Sequence, residues 1–262
     1  MQKLSLSICI LSWKSKKSIA NTLLSYQKNG LLDLSDDIVI LFQECSSGDK
    51  KIAEKFGIKH IDLSENIGIG KGISKLIETA KYETVLFLEH DWELIENQKT
   101  VSSQLQEGLN MLKHGYDIVR YRSRSNPGYP VHSMRHKGKE LEYYDTWHKV
   151  NAPQLLESMY WLDPAVSFPD KIQKSGNFFV TTSRWANWTN NPFLLQKSFF
   201  KKNIQNIAEK SEHFERDIAE WWVQQNFIIA QGEGLFMHND IDKHAEPTMI
   251  EKIIRKVKRR LQ

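Results

Sequence analysis

The feature that most constrains this chain is an alternation. Over its first ninety residues, short runs rich in apolar residues at 4–11, 38–42, 58–61 and 84–88 are separated by stretches with helical spacing. The first of these stretches carries Ile19, Leu23 and Tyr26 on one face and closes at Gly30. A short second one surrounds Ile52 and Phe56, and a third, 70–82, places Ile73, Leu76, Ile77 and Ala80 at i, i+3, i+4 and i+7. Runs such as Thr84-Val85-Leu86-Phe87-Leu88, apolar at every position but the first, suit strands buried on both faces. A β-α-β-α-β-α-β order with such strands predicts an α/β fold, a parallel sheet covered by helices.

Ligands of such sheets bind beyond the carboxyl ends of the strands. The conspicuous polar residues fall there: Ser12 and Trp13, Glu44, residues 62–66, and Glu89-His90-Asp91-Trp92. Four loops on one edge are thus expected to build the site.

Beyond a predicted helix at 98–113 and a strand at 116–119, the text changes. Residues 120–188 are rich in Arg, Tyr, Trp, His, Gly and Pro and lack clean periodicity up to a strand at 177–182. Segments of this kind usually carry function or mobility. Helices are predicted at 192–203 and about 215–225, and a hairpin-like pair at 227–230 and 234–238. No linker divides the chain, so 1–262 reads as one domain: 1–95 as the ligand-binding half, 96–249 as the second half, and 250–262 as a tail.

With 40% apolar and 26% charged residues, disordered and fibrous classes are excluded. No apolar run approaches the ~18 residues of a membrane span. The run at 4–11 is also short for a signal peptide, so a mature, cytoplasmic chain is expected. Cys9 and Cys45 offer neither a disulfide framework nor zinc spacing, and the sequon Asn187-Trp188-Thr189 reads as an accident. Of the net charge of +4, residues 250–262 hold six Lys or Arg against Glu251. Removing that surplus of five leaves the body at −1, which argues against a nucleic-acid-binding module.

In Leu86-Phe87-Leu88-Glu89-His90-Asp91-Trp92, polar groups follow directly on residues that want burial. An acid so placed can hold a divalent cation or serve as a turn or cap carboxylate. Glu65-Asn66-Ile67-Gly68-Ile69-Gly70-Lys71-Gly72 offers glycines, backbone N–H groups at a helix start and a lysine, a surface that accepts diphosphate. It fits neither the P-loop nor the Rossmann spacing, and a plain turn is the alternative.

In order and spacing, 7–13, Glu44, the 65–72 segment and Phe87-Leu88-Glu89-His90-Asp91-Trp92 resemble the nucleotide-sugar half of the family 2 glycosyltransferases of GT-A fold, strongly over about the first 95 residues. The resemblance implies a Rossmann-like, mostly parallel sheet flanked by helices, with an irregular acceptor-side second half. It also implies an inverting transfer from a nucleoside-diphosphate sugar, a UDP-sugar foremost, to a glycan, lipid-linked or protein hydroxyl. Ser12, Trp13, Glu44, Asn66 and Gly68 would then meet the nucleotide, with Lys71, Glu89 and His90 in the same nucleotide-sugar set. Asp91 would coordinate Mn2+ or Mg2+. The family usually has Asp where this chain has His90.

In the second half the same resemblance implies a helix-opening base, at Glu215 with Asp217 and Glu212 as rivals, and a histidine completing the metal site, at His238. Phe214-Glu215 stands where members usually carry Glu-Asp. These departures leave room for a silent relative that binds nucleotide-sugar or glycan without transfer. Trp185, Trp188, Thr189, Asn190, Asn191 and Pro192 resemble the acceptor-lining stretch, of which Trp188, Asn190 and Asn191 are the chosen contacts. A tryptophan is equally at home in the core. Arg120, Arg122 and Arg124 would face an anionic group or lie on a solvated strand edge. In the tail, Ile250, Ile253, Ile254, Val257 and Leu261 form an apolar stripe among basic residues, suited to the surface of an anionic membrane or to packing on the body.

Overall fold

The computed structural model describes residues 3–128, 135–136, 139–140, 155–156 and 162–239; the 250–262 tail lies outside them. The predicted alternation forms as a continuous path. β1 (Ser7–Trp13), α1 (Lys16–Lys28), β2 (Asp37–Gln43), α2 (Ser47–Lys55), β3 (Lys59–Asp62), α3 (Ile69–Thr79) and β4 (Thr84–Glu89) follow one another, with all four strands parallel in the order β3-β2-β1-β4. Because side chains alternate along a strand, Ile8 and Ile10 pack beneath α1, whereas Cys9 and Leu11 pack beneath α3. This two-sided burial is why the interior strands β1, β2 and β4 read as largely apolar runs, whereas the edge strand β3 is partly exposed.

β5 (Trp92–Leu94), α4 (Gln98–Lys113) and β6 (Ile118–Arg122) come next, and a two-residue pair, β7 (Arg135–His136) and β8 (Lys139–Glu140), stands apart from the main sheet. The remainder is α5 (Pro164–Ser167), β9 (Gln173–Ser175), β10 (Phe178–Thr182), β11 (Phe193–Gln196), α6 (Lys197–Asn203), α7 (Gln205–Lys210), α8 (Phe214–Trp222) and β12 (Ile228–His238). The main sheet continues through this half as β4-β11-β6-β12-β10-β9, with β5 on β12. α1 and α4 cover one face, and α3, α7 and α8 the other. Among the described residues no helix is long and apolar enough to cross a membrane.

Three sequence expectations give way here. The helix predicted at 192–203 begins as a strand: Phe193-Leu194-Leu195 is an apolar run, and it fills the antiparallel slot between β4 and β6. The hairpin-like pair at 227–238 is one strand, β12, parallel to β6. Its irregularity is a register shift between Gln231 and Phe236 around Gly234, whose φ is +95°. The strand at 116–119 extends through Arg122 and lies in the interior of the sheet.

Arg120, Arg122 and Arg124 are therefore buried, neither on a solvated edge nor presented to an outside anion. Arg120 Nη2 donates to the Asn187 carbonyl (2.6 Å), Arg122 to those of Pro127 (3.1 Å) and Gly128 (3.2 Å), and Arg124 to those of Leu156 (2.8 Å) and Leu162 (3.3 Å). Burial lowers their pKa values, to about 9 for Arg120 and about 10 for the others, so all three stay charged at neutral pH. They bind the irregular segment to the sheet.

Candidate active site

In the order β3-β2-β1-β4 the chain reverses its direction of growth at β1, and the crevice beyond the carboxyl ends of β1 and β4 is the expected ligand position. The predicted residues collect around it. His90 N–H donates to the Leu11 carbonyl (3.0 Å), tying the loop after β4 to the end of β1. Trp13 Nε1 and Lys14 Nζ both reach Glu44, the latter at 2.8 Å, and tie the loops after β1 and β2. Those two hydrogen bonds hold the Glu44 carboxyl below the usual glutamate range. Lys14 and Glu44 both have positive φ, 48° and 49°. Strain of this kind in non-glycine residues clusters at functional sites. Trp13 is 45% exposed, while Ser12 is buried, 3.3 Å from the Ser15 hydroxyl.

The loop after β3 is fixed by Gln43, whose Oε1 accepts from Ile67 N–H (2.8 Å), and by Asn66, whose Oδ1 accepts from Gly68 N–H (2.8 Å). Gly68 takes φ +84° in open space before α3. Gly70 and Gly72 have another reason to be glycine. A Cβ at Gly70 would collide with the Ala208 carbonyl of α7, and one at Gly72 with Leu11. Lys71 is exposed in the first turn of α3.

Asp91 is 6% exposed. His238, 147 residues later on β12, comes to it across the β12–β5 pairing, with Nε2 3.1 Å from Asp91 Oδ2. His90 Nε2 lies 4.0 Å from the same oxygen. The imidazole of His238 meets the Trp92 ring edge-on, with centroids 4.8 Å apart. Asn239 N–H donates to the Asp91 carbonyl (2.6 Å), and its side chain donates to Glu93. Glu89 closes β4, partly buried. Tyr26 is wholly buried beneath the turn. Burial, with the charges of Asp91 and Glu93, pushes its phenol well up, so it remains a donor.

β11 pairs antiparallel to β4 with Phe193 opposite Phe87, so residues 190–192 emerge at the carboxyl end of β4. Asn190 N–H donates to Glu215 Oε1 (2.8 Å), bringing the first turn of α8 to this edge. Glu215, Glu212, His213, Phe214, Arg216 and Ile69 line an open cleft of about 350 Å³. Asp217 turns back on its own helix, accepting from His213 N–H and Arg216 Nε, both at 3.2 Å. The bond from the His213 amide is the main reason its carboxyl is held low. Trp188 is 3% exposed and packs against Phe193, Phe214 and Trp222. It takes the core position and anchors the neighbouring asparagines through Nε1 to Asn190 Oδ1 (3.1 Å). Asn190 and Asn191 are themselves largely buried.

A larger cleft, about 800 Å³, opens elsewhere, lined by Lys3, Thr84 and the outer face of α4, and shares no residue with this set. Thr84 begins β4, so that cleft lies toward the amino ends of the strands. Sequence reading passed over Lys14, Gln43, Tyr26 and Asn239. Each adjoins a recognised residue in the chain or in space, and only for Lys14, Gln43 and Asn239 was adjacency in the sequence an available signal.

No protein-family model and no curated protein sequence matches the chain. Solved structures do. Mannosyltransferase PcManGT from Pyrobaculum calidifontis, in complex with GDP-Man and Mn2+, superposes with a TM-score of 0.57 at 5% identity, over 98% of this chain and 65% of that one. S. aureus TarS 1–349 gives 0.53 at 17% identity, over 90% and 61%. Glucosyl-3-phosphoglycerate synthase from Mycobacterium tuberculosis, in complex with Mn2+, UDP-glucose and phosphoglyceric acid, gives 0.51 at 13%, over 95% and 77%. The chain has the GT-A fold. It spans about 61% of the TarS fragment and 65% of the mannosyltransferase. Within the GT-A fold, the edge that gathers Glu44, Asn66, Asp91, Glu215 and His238 is the carboxyl edge of the parallel strands.

Proposed function

We propose that this chain is a glycosyltransferase that moves a sugar from a nucleoside-diphosphate sugar to an acceptor hydroxyl with inversion, using Mn2+ or Mg2+ at Asp91 and His238. The observation that carries the reading is the Asp91–His238 pair, 3.1 Å apart at the carboxyl end of β4. A carboxylate oxygen and an imidazole nitrogen brought together at one largely buried point are a donor set that would hold a divalent cation. Among the described residues no group of three His, Cys, Asp or Glu forms a ready-made metal centre. Two protein ligands suit ions that take their remaining positions from water and substrate phosphates. Such a cation, when bound, neutralises charge on the departing diphosphate.

The chain's own residues supply the rest. Glu44, Trp13 and Ser12 border the nucleoside, Asn66 and Gly68 the ribose and diphosphate, with Lys71, Glu89 and His90 alongside. Glu215 is the base. One of its oxygens is held by Asn190 N–H, and its side chain lines an open cleft where an acceptor hydroxyl would approach; a base there needs hydrogen-bond reach of that hydroxyl. A negative charge is favoured in the first turn of α8. Asn190 and Asn191 belong to the acceptor side, with Trp188 beneath them. The nucleotide sugars held in complex by solved neighbours, UDP-GlcNAc by TarS 1–349 and GDP-Man by the mannosyltransferase, support the nucleotide-sugar class. A lipid-linked acceptor and peripheral membrane contact through 250–262 belong to the same proposal.

The test is a thermal-shift panel of nucleoside diphosphates and their sugars with and without Mn2+. At least one is expected to raise the melting temperature in a cation-dependent way in the wild type and not in Asp91→Asn. A panel in which none does so would overturn the reading.

A further inference from the structure

The first helix carries a polar stripe on a face that is otherwise core. Thr22, Ser25, Tyr26 and Asn29 fall at i, i+3, i+4 and i+7, the first three within α1 and Asn29 at its carboxyl-terminal cap. All four hydrogen-bond to the main chain of one short segment. Thr22 Oγ1 donates to the His90 carbonyl (2.7 Å), Tyr26 Oη to that of Trp92 (2.7 Å) and Asn29 Nδ2 to that of Leu94 (2.8 Å). Ser25 Oγ accepts from Leu94 N–H (2.9 Å). β5 pairs on its other side with β12, placing Leu94 opposite Phe236 and Trp92 opposite His238. The side chains of α1 thus stand where another strand of the sheet would have been.

We infer that two members of this stripe, Thr22 and Tyr26, aim the Asp91 carboxylate as positioning residues for it, whereas Ser25 and Asn29 hold Leu94. Three successive carbonyls of the turn are gripped: His90 by Thr22, Asp91 by Asn239 N–H, and Trp92 by Tyr26. The two helix side chains flank Asp91 along the chain, whereas Asn29 acts three residues away from it. Removing a flanking donor leaves a carbonyl unsatisfied beside the aspartate and frees the peptide to rotate. Supporting bonds around a metal ligand typically matter by ~10–100-fold in affinity. The inference rests on the reading of Asp91 as a cation ligand.

The experiment titrates Mn2+ alone into the full chain by electron paramagnetic resonance, with melting temperatures alongside. Asp91→Asn is expected to abolish the binding. Thr22→Val and Tyr26→Phe are expected to weaken it about 10-fold, Thr22→Ser to restore it, and Asn29→Ala to lower the melting temperature with the affinity unchanged. Amide exchange at Asn239, whose N–H grips the Asp91 carbonyl, provides a readout that needs no metal: faster in Thr22→Val and Tyr26→Phe, unchanged in Asn29→Ala. If Asp91→Asn alone alters Mn2+ binding, and the helix variants lower stability alike without moving Asn239 exchange, the positioning role is overturned. If Asp91→Asn leaves Mn2+ bound, the cation reading itself falls and takes this inference with it.

Discussion

The turn after β4 and the first turn of α8 both bring acids to the same edge of the sheet, and they are built in opposite ways. Asp91 is buried, its own carbonyl and both flanking ones are hydrogen-bonded, and His238 closes on it from a strand far along the chain. Glu215 is exposed and secured through a backbone N–H to one oxygen, beside an open cleft. A buried carboxylate is tolerable only with partners that satisfy it, which suits an ion that must be held in one place. An exposed carboxylate tethered at one oxygen suits a mobile partner such as an acceptor hydroxyl. On the proposed function, then, the buried acid binds and the exposed acid turns over substrate.

The sharpest way to break that contrast is Asp91→Asn, for which sugar transfer is expected to fall on the order of 10³-fold, with Mn2+ affinity lost in the same titration. Glu215→Gln is expected to lower turnover by ~10²–10⁴-fold while cation affinity and melting temperature stay near wild type. Equal losses of Mn2+ affinity in both variants would erase the division of labour.

A smaller effect is expected of Gly70→Val, which forces α3 away from the Ala208 carbonyl next to the Glu215 cleft. Destabilisation of about 1–3 kcal/mol in urea unfolding is anticipated from overpacking, and unchanged stability would mean the two helices part freely. The mildest prediction concerns pH. Because Lys14 and Trp13 hold the Glu44 carboxyl below its usual value, its ionised form persists as pH falls through the ordinary glutamate range and is lost only below it. Calorimetric titration of nucleoside diphosphate should therefore give a Glu44-dependent component, defined by comparison with Glu44→Gln, that is flat from neutral pH down to that range. A component lost near neutrality would remove Glu44 from the nucleotide site.

Where sequence reading succeeded and failed follows from the same physics. The parallel half was legible because β1, β2 and β4 are buried on both faces and α1 and α3 carry apolar stripes, so the pattern is local. The strand at 193–196 was misread because its partners, β4 and β6, lie remote in sequence and Pro192 opens helices as readily as it precedes strands. Arginines at 120, 122 and 124 suggested a surface, yet a long side chain that reaches main-chain carbonyls can be buried with its charge satisfied. Gly70 and Gly72 suggested a phosphate cradle, and their visible duty is close packing against Ala208 and Leu11. Trp188, open to two readings, went to the core.

By itself the sequence determined the α/β class, the β-α order of the first half, and the edge at which Ser12, Glu44, Asn66 and Asp91 would meet, because alternation and strand ends are properties of neighbouring residues. The family resemblance already named His238 for the Asp91 site; the tertiary structure decided that the two side chains meet directly across the β12–β5 pairing, that Asn190 tethers Glu215, and that Thr22 and Tyr26 lie beneath the acidic turn. Those pairings join residues dozens to more than a hundred positions apart, and their geometry is set by sheet register and helix packing, which the chain does not spell out locally.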